Sequence, residues 1–162
     1  MIAGSVTAVT LGGVGVRALT PSDNGDLALA SLPQGVSAHV VSGRPVFLLR
    51  RGNDVTGFLR TSPRRLTNLV WCPADDVFQA PAWGETFDIR GRLIRDYSPR
   101  DMDRIRVVVH EESVTVDAAT VTRVPSPDPG QWATRKREAS TAWLNDHPGQ
   151  QPPTDFCSPT VP

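Results

Sequence analysis

Net charge is missing from this chain: 17 lysines and arginines are balanced by 17 aspartates and glutamates over 162 residues. Without a basic excess there is no overall field to draw in nucleic acid or an anionic membrane surface. Cysteine is scarce as well, with only Cys72 and Cys157, so the chain holds one disulfide or none. The three histidines, His39, His110 and His147, lie far apart and share no metal-ligand spacing with either cysteine. Each reads as a strand or surface residue. No apolar run reaches membrane-spanning length: residues 2–16 carry no charge, but a helical span needs about 20 residues. The basic start of a signal peptide is also missing there. Two readings of this segment stand side by side. It is either an envelope-targeting or truncated anchor segment that associates the chain with a membrane, or a β-branched, glycine-rich strand or arm. Gly13-x-Gly15-x-x-Ala18 lacks the βαβ unit that a dinucleotide fingerprint requires. Ser62 lacks the elbow that would make it a hydrolase nucleophile.

What the chain does have is punctuation. Fifteen prolines and thirteen glycines favour turns over long helices. Short strands are expected over 38–41, 45–50, 55–60, 92–94, 104–110 and 114–116, with hairpin turns at Ser42-Gly43 and across 51–54. Many short strands with polar turns predict an all-β, antiparallel sandwich or barrel. Three regions follow: an apolar segment and linker over 1–26, a globular domain over 27–123, and a proline-rich extension over 124–162. Within that extension Asp128 as N-cap and Pro129 at N1 open one helix, stopped by Pro148-Gly149. Trp132, Lys136, Ala139 and Trp143 share a face of it, which either lies on the domain's own sheet or docks to a partner. The rest of the extension reads as an extended, disorder-prone tail.

The most informative stretch is 61–88. Two proline-containing loops, Thr61-Ser62-Pro63-Arg64 and Ala80-Pro81-Ala82-Trp83-Gly84, flank a segment of strand-turn-strand length, and Phe87-Asp88 closes the second. This layout resembles the cluster-binding core of a Rieske [2Fe-2S] domain, in which Cys-x-His and Cys-Pro-x-His-Gly-x-x-Phe loops clamp two irons. Further segments are similar in the same order: Gly43-x-Pro45-Val46-Phe47, Phe87-Asp88-x-x-Gly91, and Ser98-Pro99-Arg100-Asp101-Met102 where the family has a loop covering the cluster. The resemblance implies a Rieske-like β-sandwich over about 32–121, with a small cluster-binding subdomain.

At the four ligand positions this chain has Ser62, Arg64, Ala80 and Trp83. A Rieske centre takes two thiolates and two neutral imidazoles. Arginine has no free lone pair, indole nitrogen only donates, alanine offers nothing, and a serine alkoxide is a poor match for a soft iron-sulfide site. The expectation is therefore a degenerate domain without cofactor. The disulfide that joins the two loops in respiratory relatives would fall on Thr67 and Ala82, so it is gone too. Cys72 matches no ligand position. It reads either as a half-buried strand thiol or as the partner of Cys157 in an oxidising compartment.

Trp83 is expected to plug the space a lost cluster leaves, with Arg64 pairing to Asp75, Asp76 or Glu85 or stacking on the indole. The resemblance implies protein partners of a membrane redox complex or an oxygenase-type assembly. The chain would be a non-catalytic docking or structural subunit with its tip at Arg64, Trp83 and Pro99. Two alternatives remain open: an electron carrier with unusual ligands such as Cys72 and a histidine, and an accessory subunit of an oxidoreductase.

Overall fold

The computed structural model describes residues 25–81 and 83–157. The apolar segment 2–16 and Ala82 lie outside the described residues. Ten strands form two antiparallel sheets, followed by one long helix. The larger sheet runs in the order β1 (Asp26–Ala28), β10 (Ser113–Thr122), β9 (Arg104–Val109), β4 (Asp54–Leu59), β3 (Arg44–Arg51), β2 (Gly35–Val41). The smaller consists of β5 (Val70–Cys72), β6 (Val77–Gln79), β7 (Thr86–Asp88) and β8 (Leu93–Arg95), in chain order. This is the all-β, Rieske-like antiparallel arrangement expected, with the small sheet and a C-terminal helix in place.

Local chemistry sets the hairpins. Ser42 and Gly43 both take positive φ, 50° and 74°, between the paired residues Val41 and Arg44. A two-residue turn with positive φ at both positions matches the right-handed twist of the strands it joins. β10 is longer than the 114–116 expected, because it continues past a register shift between Asp117 and Val121. There the Asp117 carboxylate accepts from the backbone N–H groups of Ala119 and Thr120 and from the Thr120 hydroxyl, satisfying donors that the ladder loses at a bulge.

β3 is buried on both faces. Val46 and Leu48 join Leu29, Leu32, Val41, Ile105, Val114 and Val116 inside the curled large sheet. Phe47 and Leu49 point the other way, into a second cluster with Phe58, Leu69, Phe78, Phe87, Leu93 and Met102 that glues the small sheet to the large one. Phe78 is central, with ring centroids 4.9 Å from Phe47, 5.9 Å from Phe58 and 4.9 Å from Trp71.

The small sheet's opposite face meets the helix α1 (Pro129–Asp146), where Cys72, Val77, Ile94, Ala139 and Trp143 form a third cluster. The tryptophan-bearing face of the helix thus lies on the domain's own sheet. Its polar atoms are tied down as well. Trp132 Nε1 donates to the Ser98 carbonyl, Lys136 Nζ to the Asp96 carbonyl, Ser140 Oγ to the Ile94 carbonyl and Trp143 Nε1 to the Asp75 carbonyl. Asp128 sits at the N-cap, but its side chain makes no capping bond; its carbonyl accepts from Gln131 and Trp132. No helix among the described residues is long and apolar enough to cross a membrane.

The tail departs from the expected disorder as far as Cys157. Gln79, 3% exposed, donates to the Asp155 carbonyl at 3.3 Å and accepts from the Cys157 N–H at 2.9 Å. Arg95 donates to the Pro153 carbonyl. Cys72 and Cys157 are disulfide-bonded, their Cα atoms 5.9 Å apart. An irregular segment with so few apolar side chains is held by backbone clamps and a covalent bond, which leave no periodic signature in the sequence.

Candidate functional site

The site to test is the tip made by the two loops of the small sheet. The first loop opens from the Thr61–Asn68 bridge and is closed by hydrogen bonds from Ser62 N to Thr67 O at 2.8 Å and from Leu66 N to Ser62 O at 3.0 Å. Ser62 Oγ accepts from the N–H groups of Arg64 and Arg65 at 3.1 and 3.3 Å, which folds the loop over the serine. The second loop closes through Ala80 N to Glu85 O at 2.9 Å and Gly84 N to Ala80 O at 3.2 Å. Gly84 takes a φ of 71°, and a Cβ there would lie 2.6 Å from Asp96 Oδ2. Glycine suits the left-handed backbone, and a side chain there would have to displace the Asp96 carboxylate.

The four residues at the expected ligand positions separate into two inward and two outward ones. Ser62 is fully buried and donates to Glu85 Oε2 at 2.5 Å. Ala80 is buried beneath the second loop. Arg64 is exposed: its guanidinium donates to the Tyr97 carbonyl at 3.3 Å and lies 5.3 Å from the Tyr97 ring centroid. Trp83 is 46% exposed and carries the Arg65 guanidinium over its ring at 4.5 Å.

The expectation that Trp83 plugs a vacated space is therefore corrected. Trp83 leaves the loop outward, while Glu85, two residues on, is buried and bonded to Ser62. Arg64 forms none of the expected ion pairs with Asp75, Asp76 or Glu85, and the stacking on the indole falls to its neighbour Arg65. Pro99 is found in another setting. It lines a groove of about 340 Å³ together with Tyr97, Ser126, Pro127, Pro129 and Trp132. Tyr97 and Trp132 stand 5.5 Å apart between centroids.

Sequence reading missed the central role of Glu85. The signal available was an acid directly before the Thr86-Phe87-Asp88 strand, in a sheet covered on both faces. Burial pushes its carboxyl above the ordinary carboxylate range, against the opposing pull of the Ser62 hydrogen bond and of Arg64 and Arg65; Asp96 adds to the rise. Its Oε1 is buried and makes no hydrogen bond among the described residues, and the same holds for Thr67 Oγ1.

A carboxyl whose folded pKa is raised holds a proton that the unfolded chain has already released. Stability is therefore lost as pH rises from the unfolded value through the raised one. Glu85→Gln removes this slope. Urea titrations across the acid-to-neutral range should show the variant gaining stability relative to the native chain as pH rises. A difference that stays flat or shrinks with pH would mean that the folded Glu85 carboxyl titrates no higher than the unfolded one.

A Rieske cluster does not fit these residues. Ser62 Oγ is engaged by a carboxyl and two N–H groups, Ala80 has no donor atom, and the other two side chains point to solvent as a cation and an N–H donor. The Cys72 sulfur is bonded to Cys157 beneath the helix. Among the described residues no group of three or more His, Cys, Asp or Glu side chains is placed to hold a metal ion.

No family model matches the chain, and no curated protein matches it. Solved structures that resemble it in strand arrangement are Rieske proteins and their relatives. The cyanobacterial plasma membrane Rieske protein PetC3 from Synechocystis PCC 6803 is 21% identical, with 52% of this chain and 87% of that one covered at a TM-score of 0.45. A hyperthermophilic respiratory Complex III chain is 18% identical over 65% of this chain and 82% of its own, with a TM-score of 0.48. The ferredoxin of carbazole 1,9a-dioxygenase from Nocardioides aromaticivorans IC177 is 21% identical over 56% and 91%, with a TM-score of 0.43.

Proposed function

We propose that the chain is a cluster-free Rieske-type domain that serves as a docking or structural subunit of a redox assembly and carries no electrons itself. The observation behind this reading is the fate of the ligand positions. Two are sealed under the loops as Ser62, bonded to Glu85, and Ala80; two face outward as Arg64 and Trp83. An exposed tip rich in arginine, tryptophan and tyrosine has the composition from which binding hot spots are drawn. The partner class in this reading, a membrane redox complex or an oxygenase-type assembly, is the one that the resemblance of the 61–88 loops to a Rieske domain implies.

Purified without oxygen, the protein should be colourless, with neither iron nor acid-labile sulfide in stoichiometric amount and no EPR signal on reduction. Iron and sulfide near two of each per chain would overturn the reading and favour an electron carrier with unusual ligands.

A further inference from the structure

Leu66, Trp83 and Tyr97 are three of the eight large hydrophobic side chains exposed among the described residues, and the tip joins them. Arg64 lies over the Tyr97 ring and Arg65 over the Trp83 ring. Leu66 follows at the apex with a φ of 56° and 76% exposure. Two successive arginines thus reach to rings on two different loops, and the residue after them stands out as a knob.

The two arginines lack a direct ion pair, although the Asp96 carboxylate lies against Gly84 on the second loop. Among the described residues neither Arg64 nor Arg65 has an ion-paired carboxylate, whereas Arg95 takes Asp96 at 3.7 Å and Arg135 takes Asp101 at 3.7 Å. Glu85 lies beneath the loop, but it is fully buried and bonded to Ser62. Arg64 spends one N–H on the Tyr97 carbonyl; the remaining N–H edges of the two stacked guanidinia suit planar acceptors, and carboxylates match that fork.

We propose that this tip binds an acidic segment of a protein partner, its carboxylates on the edges of Arg64 and Arg65 and an apolar side chain of the segment against Leu66 and Trp83. The inference rests on the docking reading above and gives that partner its chemistry. A protein segment fits better than an anionic lipid surface. The chain has no net charge, and two arginines contribute only about 1 kcal/mol each at a membrane, short of stable anchoring.

The test uses the whole chain and a fluorescein-labelled, Asp/Glu-rich peptide carrying one leucine. An Asn/Gln version of the peptide and phosphatidylserine vesicles serve as rivals. The acidic peptide should bind, and more weakly as salt rises. The double variant Arg64→Gln, Arg65→Gln should lose roughly tenfold or more in affinity. Leu66→Asn, which tolerates the positive φ, and Trp83→Ala should each weaken binding at an unchanged melting temperature. Equal binding of the Asn/Gln peptide, an unaffected double variant, or no peptide binding would overturn the proposal. Binding to the vesicles alone would overturn it in favour of a membrane contact. Iron and sulfide in the same preparation would defeat the docking reading separately, since the peptide titration does not depend on them.

Discussion

Replacing Cys157 by serine should lower the unfolding free energy by about 4 to 5 kcal/mol. The bond to Cys72 spans 85 residues, and in the chain-entropy account a loop of this length restricts the unfolded ensemble by that much. The loop encloses β6 to β10 and the helix, so the unfolded chain gains freedom over its whole second half. The folded state loses little in exchange, because Gln79 still clamps residues 155 and 157 through their backbones. Urea titration of both forms measures the difference. Mass spectrometry after alkylation under non-reducing conditions establishes that the native protein is oxidised. A loss under about 1 kcal/mol, or two free thiols in protein taken from its own compartment, would sink this expectation.

The other large effect is expected inside the interface between the sheets. Phe78 is fully buried and touches three aromatic rings from both sheets. Truncating it to alanine removes that contact and leaves a cavity bounded by β-strands that cannot easily collapse. The cost should be about 3 to 5 kcal/mol. Phe156→Ala makes the control: that ring is 39% exposed, and its loss should stay within about 0.5 kcal/mol. If the two variants lose similar amounts in the same denaturant series, the small sheet is not held where the structure places it.

Much of this fold was legible because it rests on alternation and on turn chemistry. The Ser42-Gly43 turn, the short apolar run that follows it and the 3.6-residue spacing of Trp132, Ala139 and Trp143 are all visible in the chain itself. The tip was less legible. Whether a loop residue points in or out depends on backbone turns with no period, and neither the outward Trp83 nor the buried Glu85 two residues on is marked by its neighbours in sequence. Arg64 and Arg65 show the same limit on a smaller scale. Both were basic and adjacent, and only the loop geometry says which ring each one covers. The ordered tail was hidden for a different reason. Its restraints are a glutamine side chain, an arginine and a disulfide, and none of these alters the local composition that made it read as disordered.

The hydrogen bond from Leu59 N to Asp103 O, 2.9 Å long, marks where the small sheet leaves the large one and where it returns. β4 and β9 pair directly beside that point, with Gly57 opposite Ile105. The small sheet is thus an insertion with its two ends already fastened together, and the large sheet closes whether or not the insertion carries anything at its far end. Substitutions at Ser62, Arg64, Ala80 and Trp83 act on the outer rim of that insertion, away from the junction that registers the chain. A domain built this way keeps its frame whatever its loops carry, because the loop positions and the residues that align the strands belong to separate parts of the architecture.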